Sequence, residues 1–178
     1  MEFSDDERRD LYFVNNRLYL HKAIRFNYTT YDMRRDQDSV TPRTHPDVMV
    51  LAHEDDAAIP HPYWYARVLR IFHVFAQFRD GDGTLTRPVR MDVLWVRWFG
   101  RNSGVRMGWK AKRLFQVGFL LADDPGSSFN FLDPDLVIRA VHLIPRFAAG
   151  RTAMFLGPSI GRPESDNDED WLHFYVSM

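Results

Sequence analysis

An apolar run of sixteen residues, Tyr63 to Phe78, constrains the fold of this chain more than any other part of the sequence. Alternate positions of the run carry apolar side chains, as a half-buried β-strand requires: Trp64, Ala66, Val68, Phe72, Val74 and Ala76. A straight strand of this length would reach about 50 Å at 3.3 Å per residue, which is too long for a small domain. Because Arg70 interrupts the apolar alternation, we expect a bend or bulge near it.

The flanking segments predict further strands and two helices. The two Asp-Gly steps in 80–84 predict a turn, because they tolerate positive φ. Asp133 as a cap, Pro134 at the first helical position and Pro145 after the last predict a helix over 133–143. A short helix is also predicted over 4–14. The predicted strands lie within 17–31, 48–53, 63–78, 90–99, 109–121 and 171–177.

This order of long strands and few helices predicts a mainly β fold, and specifically a small, strongly bent β-barrel, which leaves no exposed hydrophobic edge. The organisation we expect is an acidic N-terminal segment, an extended arm, the barrel, and an acidic tail with a terminal strand. The bounds of these four parts are 1–16, 17–47, 48–150 and 151–178.

Several kinds of functional site have no support in the residues. The chain has no cysteine, which excludes disulfides and thiolate metal sites. The Asp80 loop lacks the carboxylate that an EF-hand carries at its twelfth position, where Met91 stands. His45, His53 and His61 recur every eight residues, but prolines interrupt the stretch. The sequence therefore predicts no catalytic site, no cofactor and no metal.

Charge is distributed unevenly, although the formal net charge is only −1. Acidic residues are concentrated in 1–10 and 162–170, which predicts solvated, mobile ends. Basic residues are concentrated in 79–113, where they form either a surface for nucleic-acid phosphates or solvated hairpin edges. The candidate phosphate-binding residues are Arg97, Arg101, Arg106, Lys110, Lys112 and Arg113.

Aromatic residues are interleaved with these arginines on the predicted strands. Such rings build either a cage for a methylated ammonium, a platform on which bases stack, or simply part of the core. The candidate ligand-binding aromatic residues are Trp64, Tyr65, Trp95, Trp98 and Phe99. Trp95 and Trp98 have opposite parity, so one of them should face outward unless another element covers it.

Two resemblances add to this interpretation. The runs HPYWYARVLRIFHVFAQF, RMDVLWVRWFGR and FLDPDLVIRAVHLIPRFAAGRT resemble a tail region of proteins of mushroom-forming fungi that is associated with Plavaka-type, CACTA-like transposases. The order of the segments DVMVL, YWYARVLRIF and VLWVRWFGR, with a final helix, more loosely resembles the bromo-adjacent homology (BAH) domain, a β-barrel reader of chromatin. The first resemblance implies that transposase chemistry lies elsewhere in a longer chain.

Together these features predict a non-catalytic nuclear module that binds chromatin, through a histone tail or DNA, within a transposon-derived fungal protein. No membrane partner is expected. The alternative is a structural or assembly domain that has no ligand of its own and packs against another part of a transposase or a second copy.

Overall fold

The computed structural model describes residues 9–52, 61–102, 104–105, 107–108, 111–121, 128–162 and 164–177, and these residues form a mainly β fold. The strands before the chain midpoint are β1 (Leu11–Phe13), β2 (Tyr19–His21), β3 (Ile24–Thr29), β4 (Arg35–Val40), β5 (Asp47–Leu51) and β6 (Tyr63–Phe78). The later strands are β7 (Val89–Arg101), β8 (Gln116–Phe119), β9 (Phe129–Leu132), β10 (Val137–Ala140), β11 (His142–Pro145), β12 (Arg151–Thr152), β13 (Asp170–Trp171) and β14 (Phe174–Ser177). Short 3-10 turns span Val14–Asn16, Pro134–Leu136, Phe147–Ala149 and Glu164–Asp166.

The antiparallel pair of β6 and β7 is the central element of the main sheet. The turn between them is the one that the Asp-Gly steps predict: the amide of Asp80 donates to the carbonyl of Thr84 over 2.9 Å, and Gly83 has a φ of +79°. Val68 pairs with Val96 and Arg70 with Trp95, so Leu69 is an extra residue in the ladder. This bulge confirms the interruption predicted near Arg70.

The bulge divides the β6–β7 pair into two parts that have different neighbouring strands. We call residues 63–68 with 96–101 the inner half, and 70–78 with 89–95 the outer half. The inner half is bordered by β5 on one side and β8 on the other, while β1 and β2 pair with the outer half of β6. The two halves therefore have different neighbours.

The main sheet has the strand order β10-β5-β6-β7-β8-β14-β11, with β1, β2 and β9 attached beside it. Its two end strands, β10 and β11, do not pair with each other among the described residues. The strand pairing thus establishes a mainly β sheet without closing it into the predicted barrel. β3 and β4 form a separate hairpin, which packs Phe26 and Val40 into the core.

Two core clusters contain most of the buried apolar side chains among the described residues, and they involve opposite parities of β6 and β7. The first core cluster comprises Phe26, Val40, Val48, Val50, Ala66, Val68, Ile71, Leu94, Val96 and Leu132. The second comprises Met49, Tyr65, Phe99, Val117, Phe119, Leu143, Phe174 and Val176. Before the bulge, even-numbered β6 residues join the first cluster; after it, the odd-numbered Ile71 does. The bulge keeps both sets of side chains inside.

The helix predicted over 133–143 is wrong, and the helix predicted over 4–14 is wrong at Leu11–Phe13. Within 133–143 the Asp133 carboxylate accepts from the amide of Asp135, but only one 3-10 turn follows before β10 begins at Val137. β-Branched Val137 and Ile138 then continue as a strand paired with β5, so tertiary pairing overrides the local cap signal. Within 4–14, Leu11–Phe13 forms β1 and pairs with β6, Arg9 is helical, and residues 4–8 lie outside the described residues.

The predicted solvated acidic tail is also wrong in part. Arg162 and Asp170 are 7% and 4% exposed, and they belong to the interior. The terminal strand that the sequence predicts is present as β13 and β14, and β14 lies in the main sheet between β8 and β11. The prediction failed because it considered the charges of 162–170 without the partners that the fold provides. In the part of the chain that the structure describes, no helix has the length and apolarity to span a membrane.

Candidate functional site

The inner half of the hairpin presents an aromatic cleft. Trp64 on β6 and Trp98 on β7 meet edge to face, with ring centroids 6.1 Å apart. They border a cleft of about 410 Å³, a volume within the range of small ligand sites. The residues that line this aromatic cleft are His61, Tyr63, Trp64, Tyr65, Trp98, Phe99, Gly100, Arg101, Val117, Leu120 and Asn130. Trp64 is 38% exposed, so its ring is accessible from the solvent.

Gly100 lies in the lining of the aromatic cleft, and its strand partner Gly118 allows close packing outside that lining. Gly100 of β7 pairs with Gly118 of β8. A Cβ on Gly100 would lie 2.6 Å from a methyl carbon of Leu120, and one on Gly118 would lie 2.7 Å from the backbone oxygen of Leu172. Both contacts are shorter than side chains tolerate, so the absence of side chains lets these segments approach closely.

The polar groups of the aromatic cleft are few. His61 is buried and its Nε2 lies 3.1 Å from the Tyr65 hydroxyl. Burial, with a smaller contribution from Tyr63, raises the pKa of Tyr65 to about 12, so this hydroxyl stays neutral near pH 7. Arg101 and Asn130 contribute the other polar side chains. The lining that the structure describes contains no carboxylate.

Of the five aromatic residues predicted as one surface, four line the aromatic cleft and Trp95 does not. Trp64 is exposed and Trp98 is partly buried. Tyr65 and Phe99 are only 2% and 6% exposed, because they belong to the second core cluster beneath the cleft. Trp95 lies in the outer half, where its ring packs 6.1 Å from that of Phe129.

The structure describes four of the six residues predicted to form a basic surface, and one of them, Arg97, is buried. Arg97 is 1% exposed and forms an ion pair with Asp170, which corrects its assignment to the outer surface. Arg101 lies at the aromatic cleft, whereas Lys112 and Arg113 are exposed outside its lining. Arg106, Lys110 and the nearby Trp109 lie outside the described residues.

Arg97 instead belongs to a buried charge network. Its two terminal nitrogens donate to the two carboxylate oxygens of Asp170 over 3.0 and 2.8 Å. Arg162 donates to the same two oxygens over 3.3 and 2.7 Å. The guanidinium of Arg97 also lies 3.7 Å from the ring centroid of Phe119. Bidentate pairing of this kind compensates a buried charge, so the network is structural.

The outer half carries a second surface, which is apolar. A cavity of about 540 Å³ lies over the face that contains Trp95. Its lining residues are Leu11, Phe13, Leu18, Leu20, Arg70, Phe72, Val74, Met91, Val93, Trp95 and Phe131, and we call this the outer apolar face. Leu20 and Phe131 are 69% and 67% exposed, which is unusual for large apolar side chains grouped together.

Three possible metal ligands meet on the opposite face of the outer half. His21, His73 and Asp92 each offer one ligand atom, and these atoms lie within 4.8 Å of one another. Burial, and then the charges of Arg90 and His21, lowers the pKa of His73, which favours its neutral form. Sequence reasoning missed this cluster, because its members are distant along the chain. The predicted turn at 80–84 was one available signal. Pairing the residues of the two flanking strands outward from this turn places His73 nearly opposite Asp92.

Comparisons of the chain with protein-family models, curated proteins and solved structures found no match. The functional interpretation therefore depends on the geometry of these surfaces.

Proposed function

We propose that this chain is a non-catalytic chromatin-binding module that takes up a peptide, such as a histone tail, at the aromatic cleft. The observation that supports the proposal most directly is the exposed ring of Trp64, which meets the partly buried Trp98 edge to face beside a cleft of about 410 Å³. The finer features, namely a BAH-like barrel, nuclear location and origin in a fungal transposon, belong to this proposal as well.

The chemistry of the cleft favours a methylated lysine over an unmodified one. Ring faces of Trp and Tyr attract a cation, and this attraction is worth about 0.5–2 kcal/mol. An unmodified ammonium also needs hydrogen-bond acceptors when it leaves water, and a carboxylate is the usual one. Because no described lining residue is a carboxylate, a trimethylated ammonium, which donates no hydrogen bonds, suits the cleft better. Arg101 and Asn130 suit the carbonyl groups of a peptide backbone.

Binding of DNA has weaker support than binding of a peptide. Arg97 forms a buried ion pair with Asp170, and Lys112 and Arg113 lie outside the cleft lining. A peptide site requires one cleft with few polar groups, whereas nonspecific DNA binding requires several basic side chains along one surface.

The test is titration of the full chain with matched peptides that carry lysine or trimethyl-lysine, followed by tryptophan fluorescence and calorimetry. We expect tighter binding of the trimethylated peptides, and about a 2- to 30-fold loss, as the range of about 0.5–2 kcal/mol implies, in Trp64→Ala. Trp95→Ala is the matched control, because Trp95 lies on the outer apolar face. Equal losses in both variants, or a steeply salt-dependent DNA gel shift without peptide binding, would contradict the proposal.

The outer apolar face favours a second candidate function, assembly with a second copy of this chain. Among the described residues, no strand pairs with Val89–Val93 on the side away from β6, so this stretch is an open sheet edge. If two copies paired antiparallel about Met91, Arg90 of each would lie opposite Asp92 of the other. This charge complementarity suits a symmetric contact that also covers the apolar side chains.

Sedimentation velocity over a range of protein concentrations tests the assembly. We expect a dimer that Met91→Lys dissociates, since two ammonium groups would meet at the symmetry axis, whereas Met33→Lys, in an exposed turn, leaves it intact. A wild-type chain that stays monomeric at all concentrations would exclude this candidate.

A further inference from the structure

The cluster of His21, His73 and Asp92 lies on three neighbouring strands of one sheet. His21 is on β2, His73 on β6 and Asp92 on β7. In the register, His73 is directly opposite Asp92 on one side and Tyr19 on the other. His21 follows Tyr19 by two residues, so all three possible ligands point to the same side of the sheet. This face is opposite to the outer apolar face and separate from the aromatic cleft.

Packing fixes the orientation of the imidazole rings before any ligand arrives. The ring of Tyr19 stacks on that of His73 at 4.7 Å and 8°, and His21 stacks on His73 at 4.9 Å and 21°. Phe75 meets the His73 ring edge to face at 5.3 Å. His73 is 9% exposed, so its rotamer is set by these neighbours. Rigid strands with packed rings are a favourable support for a metal site.

We propose that His21, His73 and Asp92 bind one zinc ion, which clamps the N-terminal strand β2 to the long hairpin. Two imidazoles and a carboxylate are ligands typical of zinc, and the fourth position is left for water. The Nε2 of His21 lies 2.7 Å from the Nδ1 of His73. Tetrahedral zinc with Zn–N of about 2.0–2.1 Å separates two nitrogens by about 3.3 Å, so the rings need to part by only about 0.6 Å.

The carboxylate of Asp92 is held near the imidazoles by Arg90. Arg90 donates to Oδ1 over 2.7 and 3.3 Å and to Oδ2 over 3.1 Å. Each carboxylate oxygen accepts more than one bond, so Oδ2 retains capacity for a metal while Arg90 stays paired. An outer partner that orients a ligating carboxylate is a regular feature of metal sites.

A zinc clamp explains how a very short strand is retained. β2 has three residues, pairs with β6 only through Tyr19–His73, Leu20–Phe72 and His21–Ile71, and leaves Leu20 69% exposed. A ligand that binds only the arranged form stabilises it by a free energy that grows with the logarithm of ligand concentration over Kd. Without metal, His21 and His73 are joined only by the contact between their two ring nitrogens, which is a weaker link than two bonds to zinc.

The experiment uses the full chain without an affinity tag, freed of metal by a chelator and titrated with ZnCl2 in a calorimeter. We expect one zinc ion per chain, a higher Tm with zinc, and slower amide exchange in β1 and β2. Imidazole nitrogen resonances of His21 and His73 should shift on binding, which a nonspecific surface ion would not produce. Absence of binding at any accessible zinc concentration overturns the proposal.

Variants separate this site from other histidines. His21→Ala and Asp92→Asn should each weaken zinc binding by at least about 100-fold, because even the loss of an outer partner commonly costs 10- to 100-fold. His142→Ala is the control, since His142 is exposed on β11. Asp92→Asn keeps the shape of the side chain, so it remains informative if His21→Ala loosens β2. Equal binding by wild type and both ligand variants, or an equal loss in the control, refutes the site.

Discussion

The inner and outer halves of the β6–β7 hairpin have the same ladder and the same alternation, yet they differ in what covers them. In the inner half each face packs against one core cluster and Arg97 is internal, while Trp64 is exposed at the aromatic cleft. In the outer half one face carries the histidine cluster and the other exposes Leu20, Met91 and Phe131. Strand alternation therefore determines which face a side chain lies on. Whether that face is buried depends on segments elsewhere in the chain that pack against it.

This contrast also explains where charges are tolerated. The inner half has Arg97 and Arg67 among aromatic rings because each meets a carboxylate with two hydrogen bonds: Asp170 for Arg97 and Asp47 for Arg67. Exposed pairs such as Arg34–Asp32 contribute little by comparison. The four predictions that follow test the difference between covered and uncovered regions, in order of decreasing effect.

Asp170→Ala should have the largest effect on stability. It removes the shared partner of Arg97 and Arg162, and each is left with a buried charge. Removing one partner of a buried pair costs about 3–5 kcal/mol of the free energy of unfolding. Chemical denaturation measures the loss, and Asp32→Ala, in an exposed pair, should cost no more than about 1 kcal/mol. Similar losses in the two variants would contradict a buried network.

Phe119→Ala and Phe131→Ala form a matched pair for the inner and outer halves. Phe119 is 5% exposed and lies beneath Arg97 and Arg67, whereas Phe131 is 67% exposed. Truncation of a buried Phe costs about 3–5 kcal/mol, because it leaves a cavity. For Phe131 we expect less than about 1 kcal/mol in denaturant unfolding. A large loss in Phe131→Ala would mean that the outer apolar face is covered in solution.

Gly118→Ala should cost about 1–3 kcal/mol, because the new Cβ would meet the carbonyl oxygen of Leu172 at 2.7 Å and a backbone group cannot move aside cheaply. Gly157→Ala is the control, since nothing lies within 4 Å of its Cβ position. It should be neutral or slightly stabilising through the unfolded chain. Thermal unfolding of both variants compares them, and equal Tm values would show that β8 and Leu172 are not in close contact.

The free energy of unfolding should decrease gradually as the pH becomes acidic, because a buried carboxylate of the inner half's charge network becomes protonated. Burial raises the pKa of Asp170, but hydrogen bonds from Arg162 and Arg97 outweigh burial and hold its pKa below the ordinary 3.8. A carboxylate with a lowered folded pKa stabilises the fold above the unfolded value, and this contribution is lost as pH falls below about 4. The stability gap between wild type and Asp170→Asn should therefore narrow below pH 4. A gap that stays constant down to pH 2 would indicate that Asp170 is not ionised in the folded chain.

Sequence reasoning reached the long hairpin, its turn and its bulge because these depend on neighbours along the chain. Alternation in 63–78, the Asp-Gly steps and the position of Arg70 are all local signals. The same kind of signal failed at Asp133–Pro134, where a good cap starts only a 3-10 turn and the β-branched residues after it pair with β5. It also failed at Arg97, since nothing nearby in sequence indicates that Asp170, 73 residues away, supplies its partner.

The candidate sites divide in the same way. The meeting of Trp64 and Trp98 could be predicted from the sequence, because aromatic residues on adjacent predicted strands can come into contact. The burial of Tyr65 and Phe99 and the position of Trp95 outside the cleft could not be predicted, since they depend on which elements cover each face. The contact of His21 with His73 spans 52 positions and needs the register of β2 on β6.

By itself, the sequence determined that this chain is mainly β, with one long bulged hairpin at its centre, because side-chain alternation and turn chemistry act over a few residues. Only the tertiary structure decided that an arginine of that hairpin is internal, that two tryptophans border a cleft, and that two histidines and an aspartate meet. These outcomes depend on contacts between distant segments, and a contact lowers the free energy only when the whole fold brings both partners together.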